Sequence, residues 1–435
     1  MLGAFVNAFR TPDLRRKLLF VLFIIVVFRL GSMTPAPGVN VANVQSCITQ
    51  ATEDSANSNL FNLINVFSGG ALLQLTIFAL GIMPYITASI ILQLLTVVIP
   101  RLETLKKEGQ AGQTKITQYT RYLTLGLAVL QATGIVALAR SRQLFQGACT
   151  ESLLYEEDSI YSAVLLVLTM TAGTAVIMWF GELITDRGIG NGMSILIFTQ
   201  IVATFPSTMW LIAQQQGWFT FALVVIVGLA IIAAVIFIEQ AQRRIPVQYA
   251  RRMVGRRMFG GSSTYIPLKV NQAGVIPVIF ASSLLYLPAL AAQFNPDARW
   301  TGWIGNLFIT GDHPVYMLTY FALIIFFTYF YVAITFNPTE VADNMKKYGG
   351  FIPGIRAGKP TEEYLGYVLS RITLPGALYL GVVSLIPLIA LVLINANQNF
   401  PFGGTTILII VGVGLDTVKQ IESQLQQRNY EGFLR

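Results

Sequence analysis

FNLINVFSGGALLQLTIFALGIMPYITASIILQLLTVVIP, residues 61–100, decides how the chain is read. From 71 to 99 the run carries no Asp, Glu, Lys or Arg. It exceeds the roughly 20 apolar residues that a helix needs to cross the hydrocarbon of a bilayer. Phe61 to Gly70 is apolar too, apart from Asn62 and Asn65, but far too short to cross, and Ser68-Gly69-Gly70 breaks it from the longer run. Irregular backbone at membrane depth is tolerated only where it is buried in protein or lines a cavity. The short piece is therefore either a helix lying on the outer interface or one that re-enters the protein's own cavity, and the residues alone leave both readings open.

The rest of the chain is of the same kind. It has 435 residues, 54% hydrophobic and 11% charged, against roughly 25% charged in a soluble domain. Ten segments are long enough to span or nearly so: about 18–33, 71–99, 119–138, 161–180, 193–212, 219–238, 272–291, 316–335, 372–394 and 402–418. The basic-then-apolar start resembles a secretory leader, but no small-residue cleavage site comes after it, so it reads as a retained first span. Ten spans put both termini on one side. With the termini inside, every Lys and Arg of the 29 except Arg29, Arg140, Arg142 and Arg299 falls in an inner segment, which is the excess that cytoplasmic loops carry.

Two inner loops are long. The first holds RRIPVQYARRMVGRR, residues 243–257, with Arg243, Arg244, Arg251, Arg252, Arg256 and Arg257 in three doublets, and ends in GGSSTYIPLKVN, a turn and a short extended arm. The second holds NPTEVADNMKKYGGFIPGIRAGKPTEEYL, residues 337–365. Pro338 and Thr339 can start a short helix there and Gly349-Gly350 can end it. Turn residues surround Arg356, and Thr361 is placed to cap the next helix. Each loop reads as a cation-bearing projection clear of the membrane. Arginines beside a span help to hold a loop in the cytosol, but six within fifteen residues exceed that need.

Several chemistries are excluded. With two cysteines and one histidine, no Cys/His cluster for a structural metal is possible. No phosphate loop occurs, and no cofactor is implied. A proton- or ion-coupled transporter carries ionisable groups at membrane depth. Here Arg29 lies near a span end, where it can snorkel, and Glu182, Asp186 and Asp416 sit at inner ends. An intramembrane enzyme would need a buried nucleophile and base, for which His313, in an outer loop, is misplaced. Ile82, Ile86, Ile197, Ile279 and Ile409 lie in spans that also carry Gly or Pro breaks, and on composition they are ordinary apolar residues. Whatever the chain moves, the energy comes from elsewhere.

Longer stretches carry a resemblance: FSGGALLQLTIFALGIMPYITASIILQLL, TKITQYTRYLT, GELITDRGIGNGMSI, RRIPVQYARR, YIPLKVNQAGVIPVIFASS, FNPTEVADNMKKYGGFIPGIRAGKPTEEYL and TLPGALYL, in that order. The chain resembles the SecY family, the central channel subunits of the bacterial Sec translocase, related in architecture to the alpha subunit of the eukaryotic translocon. The resemblance implies an all-α integral membrane protein with ten transmembrane helices. They form two pseudo-symmetric five-helix halves, 1–217 and 218–435, around a central hourglass pore, with both termini cytoplasmic in a bacterial plasma membrane. It implies a passive channel, not an enzyme. Unfolded secretory polypeptides would cross through it and membrane-protein helices would leave it sideways.

On matching positions, the plug that closes the pore from outside would be Phe61, Asn62, Leu63, Ile64, Asn65, Val66, Phe67, Ser68, Gly69 and Gly70. The pore ring would be Ile82, Ile86, Met193, Ile197, Ile279 and Ile409. Met193 departs from the family's branched residue, and Met fills gaps flexibly. Thr87 and Leu287 would face each other across a lateral gate. Arg243, Arg244, Arg251, Arg252, Arg256, Arg257 and Arg356 would dock the SecA motor or the ribosome, meeting rRNA phosphates, with anionic lipids competing for the same cations. SecE and SecG are the implied companion subunits, and signal sequences and nascent polypeptides the implied cargo. Cys47 and Cys149 both fall in outer loops, where a disulfide would persist. A bridge between them would staple those loops beside the plug, although unpaired small apolar cysteines are equally at home there.

Overall fold

The computed structural model describes residue 9 and residues 11–53, 71–72, 74–140, 152–155, 159–249, 252–254, 257–259, 263–282, 284–285, 313–394 and 404–431. Its helices match the apolar runs. Helix α1, Pro12–Met33, opens with Pro in its first turn and Asp13 near its N-terminal dipole, both favourable there. It buries Leu14, Val21, Ile24 and Phe28, a helical stripe. Helix α2 covers Val41–Glu53, α3 Met83–Val98 and α4 Pro100–Lys107. Helix α5 is Gln110–Arg140 and α6 Ile160–Arg187. The hydroxyl of Ser159 accepts from the amide of Ser162 at 3.4 Å to cap α6.

Helix α7, Gly192–Gln240, is two helices in one run, broken at Gly217 where φ is 83° and ψ 165°. That backbone is one that glycine adopts readily, and the break separates the expected spans 193–212 and 219–238. After it come a helical stretch over 276–282, then α8 Pro314–Thr335, α9 Pro338–Lys347, α10 Lys359–Ile394 and α11 Gly404–Glu431. Asn337 caps α9, accepting from the amide of Thr339 at 3.2 Å. Among the described residues five helices are long and apolar enough to cross a membrane, or six if α3 and α4, bent by 100° at Ile99–Pro100, count as one.

The second expected span departs from a plain helix. Residues 71–72 and 74–82 lie mostly in turns, and within this run only Met83–Val98 is helical. Leu75 has φ 47° and Gly81 φ 56°. The reason is a competing partner for the backbone. The amide of Ala36 donates to the carbonyl of Leu75 at 3.0 Å, and the amide of Ile77 donates to the carbonyl of Thr34 at 3.0 Å. These bonds replace helical ones, so the irregular backbone is satisfied inside the protein as the bilayer requires.

Three large apolar clusters pack the helices together. One lies wholly in the first part of the chain, around Val44, Leu75, Ala128, Leu154 and Met170. A second gathers mainly later elements, around Val235, Val278, Phe280, Ile324, Leu380 and Leu408. The third joins them, with Phe28, Phe78, Ile177, Ile184 and Leu196 from the first part and Ile409 from α11. Cys47, fully buried in the first cluster, is disulfide-bonded. The chain's other cysteine, Cys149, lies outside the described residues.

Segment 71–82 can lie so close to α6 because Gly173 has no side chain. A Cβ there would sit 2.1 Å from the carbonyl oxygen of Ile77, a collision with backbone that has no free rotamer. Gly173→Ala is therefore expected to push the segment off α6 at a cost of about 1–3 kcal/mol. The check is a thermal unfolding scan of the purified protein, which should show an earlier transition for the variant. An unchanged midpoint would count against this packing.

Candidate functional site

Six apolar side chains from four separate elements meet in the third cluster. Ile82 comes from the last turn before α3 and is 1% exposed. Ile86 lies one helical turn later, which puts both on one face. Met193 and Ile197 repeat that spacing at the start of α7, where Asn191 accepts from the amide of Met193 at 3.0 Å and so fixes where the helix begins. Ile279 comes from the stretch 276–282 and Ile409 from α11. Ile82, Ile197 and Ile409 are core members of this cluster, and Ile86, Met193 and Ile279 pack against it half-buried. The arrangement offers side chains without strong hydrogen-bonding groups. An apolar contact of this kind excludes water and offers no fixed hydrogen-bond partner.

The expected partners of this ring are less complete. Phe61 to Gly70 lie outside the described residues, as does Leu287. Thr87 is half-buried on α3 and its hydroxyl donates back to the carbonyl of Met83 at 2.9 Å.

At one end of the helices the long loops after α7 and α8 form one folded unit, where the sequence suggests two separate projections. Strand β1, Gln242–Tyr249, pairs antiparallel with β4, Ser263–Lys269, and on its other edge with β5, Gly350–Phe351. Between β1 and β4 lies a small hairpin of β2, Arg252–Val254, and β3, Arg257–Phe259. Alternation along β1 turns Ile245 and Val247 inward. They join Leu268, Met345, Ile352, Leu365 and Val368 in a separate apolar core, so the sheet is backed by α9 and the start of α10.

This unit carries the cations. Arg243 and Arg244 are exposed on β1, and the guanidinium carbon of Arg244 lies 4.9 Å from the ring centre of Tyr265. Stacking of this kind leaves the charge outward while it orders the side chain. Arg252 and Arg257 fall in β2 and β3, whereas Arg251 and Arg256 lie outside the described residues. Arg356 is exposed in the turn between β5 and α10. Thr361 does not cap α10, which begins at Lys359. Its hydroxyl instead donates to the carbonyl of Arg356 at 2.9 Å, which ties down the turn that presents the arginine. The hydroxyl of Thr339 donates to Glu362 at 2.7 Å and links the first turns of α9 and α10.

Several charged groups at the helix ends are also partnered. Arg121 grips Glu182 with two bonds, Nε to Oε1 at 2.8 Å and Nη2 to Oε2 at 2.7 Å, the strong forked geometry of a guanidinium on a carboxylate. Glu239, buried at the end of α7, accepts from the side-chain amide of Asn271 at 2.5 Å. Lys269 and Asp416 are 3.5 Å apart. These partners are distant in sequence, and the residues alone point to none of them. His313 caps α8, accepting from the amide of Val315 at 3.2 Å. Gln200, beside the ring, also escapes a reading of the sequence. Its one signal is that it is the lone carboxamide of the run 193–212.

Known proteins match this architecture. The family model for SecY matches residues 76–418. The chain is 68% identical over 440 residues to the protein translocase subunit SecY of Streptomyces galbus, with all of both chains covered. Among solved structures, one of a protein conducting channel superposes with a TM-score of 0.64 at 18% identity, over 93% of this chain and 91% of that one. Sec61 in the canine ribosome-channel complex from the endoplasmic reticulum gives 0.61 at 18% identity, again over 93% and 91%. The fold is that of these channels: mainly α-helical and membrane-embedded.

If the two loops are one folded unit, a charge placed in its core must open both. Burying an unpaired carboxylate is strongly unfavourable, and proteolysis tracks the population of the opened form. Val247→Asp is expected to speed tryptic cleavage at residues 243–257 and at Lys346, Lys347 and Arg356 together, by about tenfold or more. Faster cleavage confined to the first loop would refute the shared core.

Proposed function

The chain belongs to the SecY family, and from that membership we propose that it is the channel subunit through which unfolded secretory polypeptides cross a bacterial plasma membrane and from which membrane-protein helices enter the lipid. It is a passive conduit rather than an enzyme. Ten spans in two halves, 1–217 and 218–435, surround the pore, with both termini cytoplasmic. The break of α7 at Gly217 and the division of apolar residues between an early and a late cluster support that division.

The observation that carries the reading is the meeting of Ile82, Ile86, Met193, Ile197, Ile279 and Ile409 in the one cluster that joins the two parts of the chain. Such a ring seals against ions by excluding water, yet its contacts are dispersive and can part around a chain. Phe61–Gly70 is the plug that closes it from outside, and Thr87 and Leu287 mark the seam through which an apolar signal sequence leaves.

The sheet beneath is the docking face. Exposed Arg243, Arg244 and Arg356, with Arg251, Arg252, Arg256 and Arg257, meet the SecA motor or ribosomal RNA, and anionic lipid headgroups when neither is present. That Sec61 was solved in a ribosome-channel complex supports the ribosome as partner. SecE and SecG complete the assembly.

Ring and docking face can be tested separately. Ile86→Asn puts a hydrogen-bonding group into the ring. It should raise ion conductance in reconstituted membranes and restore export of precursors with defective signal sequences, and a variant that changed neither would end the ring assignment. Arg356→Glu should slow ATP-dependent uptake of a precursor into vesicles carrying the channel with SecE and SecA, without lowering channel abundance. Ribosome binding by the same vesicles should fall steeply with added salt, since it depends on phosphate contacts. Binding indifferent to salt would remove that role from the arginines.

A further inference from the structure

Gln200 is 2% exposed, and among the described residues neither its amide nitrogen nor its amide oxygen has a hydrogen-bond partner. It is the one buried carboxamide among them with both its nitrogen and its oxygen unmet. Its place is specific. It lies three residues after Ile197 on α7 and next to Ile201, both buried. Its amide nitrogen packs on Gly81, where a Cβ would come within 2.6 Å of it, and Gly81 immediately precedes Ile82. The carboxamide is thus wedged beside ring residues of two elements. Other polar side chains of this helix solve the same problem locally. Thr199 donates to the carbonyl of Ile195 at 2.8 Å, and Thr204 to that of Ile201 at 2.9 Å.

A buried amide without partners destabilises the state that buries it, and an unsatisfied group in a folded protein calls for a reason. Leucine or methionine would fill the same space and seal the waist better. The reason lies in the other state of the site. When the ring parts, water and an extended polypeptide take the place of the apolar contacts. Each peptide group of that polypeptide brings a donor and an acceptor that the membrane leaves unmatched. A carboxamide has two donors and an acceptor of its own, so it can pair with any peptide group regardless of the side chain attached. A charged group would discriminate among side chains and would cost far more at this depth.

Building on the ring assignment proposed above, we infer that Gln200 is the polar contact of the conduit: its amide pairs with peptide groups of the passing chain and their water, and its unmet bonds in the closed channel bias the ring toward opening. The test records open probability in planar bilayers for the full channel complex, comparing the parent with Gln200→Leu, Gln200→Met and, as a reference, Ile86→Asn. Both Gln200 variants should open about tenfold less often, since each relieves the closed state of an unpartnered amide, and both should slow transit of a precursor with an intact signal sequence. Thermal stability measured alongside separates this from simple packing. Leu and Met variants that gain stability yet open as often as the parent, or more often, would overturn the inference while Ile86→Asn still leaks. If Ile86→Asn does not leak either, the ring assignment falls and takes this inference with it.

Discussion

A channel for polypeptides has to be watertight when empty and indifferent to what passes, and in the reading proposed above both demands fall on the contact among Ile82, Ile86, Met193, Ile197, Ile279 and Ile409. Dispersion between such side chains is weak per atom pair and large in sum. It carries no direction, so separation leaves no broken hydrogen bond behind. A polar seal would hold by specific pairs and would select among side chains. An apolar one holds by excluding water, and the rest of the fold exists to bring four elements to that point.

How the elements reach it explains the irregular stretch 71–82. A plain helix through this region would carry its own backbone bonds and could not hand any to 34–36. By turning instead, the chain accepts at Leu75 from Ala36 and donates from Ile77 to Thr34, which anchors the approach to Ile82 on the end of α1. Gly173 lets α6 close against the same turns. The approach to Ile82 is thereby fixed to two neighbours before α3 begins.

Legibility in the sequence tracks which forces are local. The apolar runs and the sidedness of Lys and Arg are properties of single segments, and the helices lie where those runs are. Asn191, Ser159 and Asn337 cap the helices that they precede, because capping acts within one turn. The β1–β5 pairing could not be read, since it joins Gln248 to Phe351 across about a hundred residues and depends on the core that α9 and α10 supply. Thr361 misleads for a similar reason: a carbonyl from the preceding turn competes for the hydroxyl that local rules give to a helix end. The ring is invisible to composition, because an isoleucine facing a pore and one facing lipid look alike in a sequence. Only the resemblance to a family singles those positions out.

The sheet proposed for docking and the cluster proposed as the ring share their helices, and that matters for how work done outside the membrane would reach its middle. At the foot of the sheet, the amide of Val270 donates to the carbonyl of Ala241 at 3.0 Å, and the carbonyl of Val270 lies against Gly376 of α10, where a Cβ would intrude to 2.3 Å. Lys269, the last residue of β4, faces Asp416 of α11 at 3.5 Å. Asn271 is bound to Glu239 at the end of α7. Asp416 is two helical turns from Ile409, about 10 Å along the axis. With Ile409 in the ring as proposed, a push on the arginine-bearing face has a path to it through a sheet, an exposed ion pair and a short length of helix. On the docking role proposed for the sheet, these contacts join the surface where a motor or a ribosome would pull to the cluster that holds Ile409.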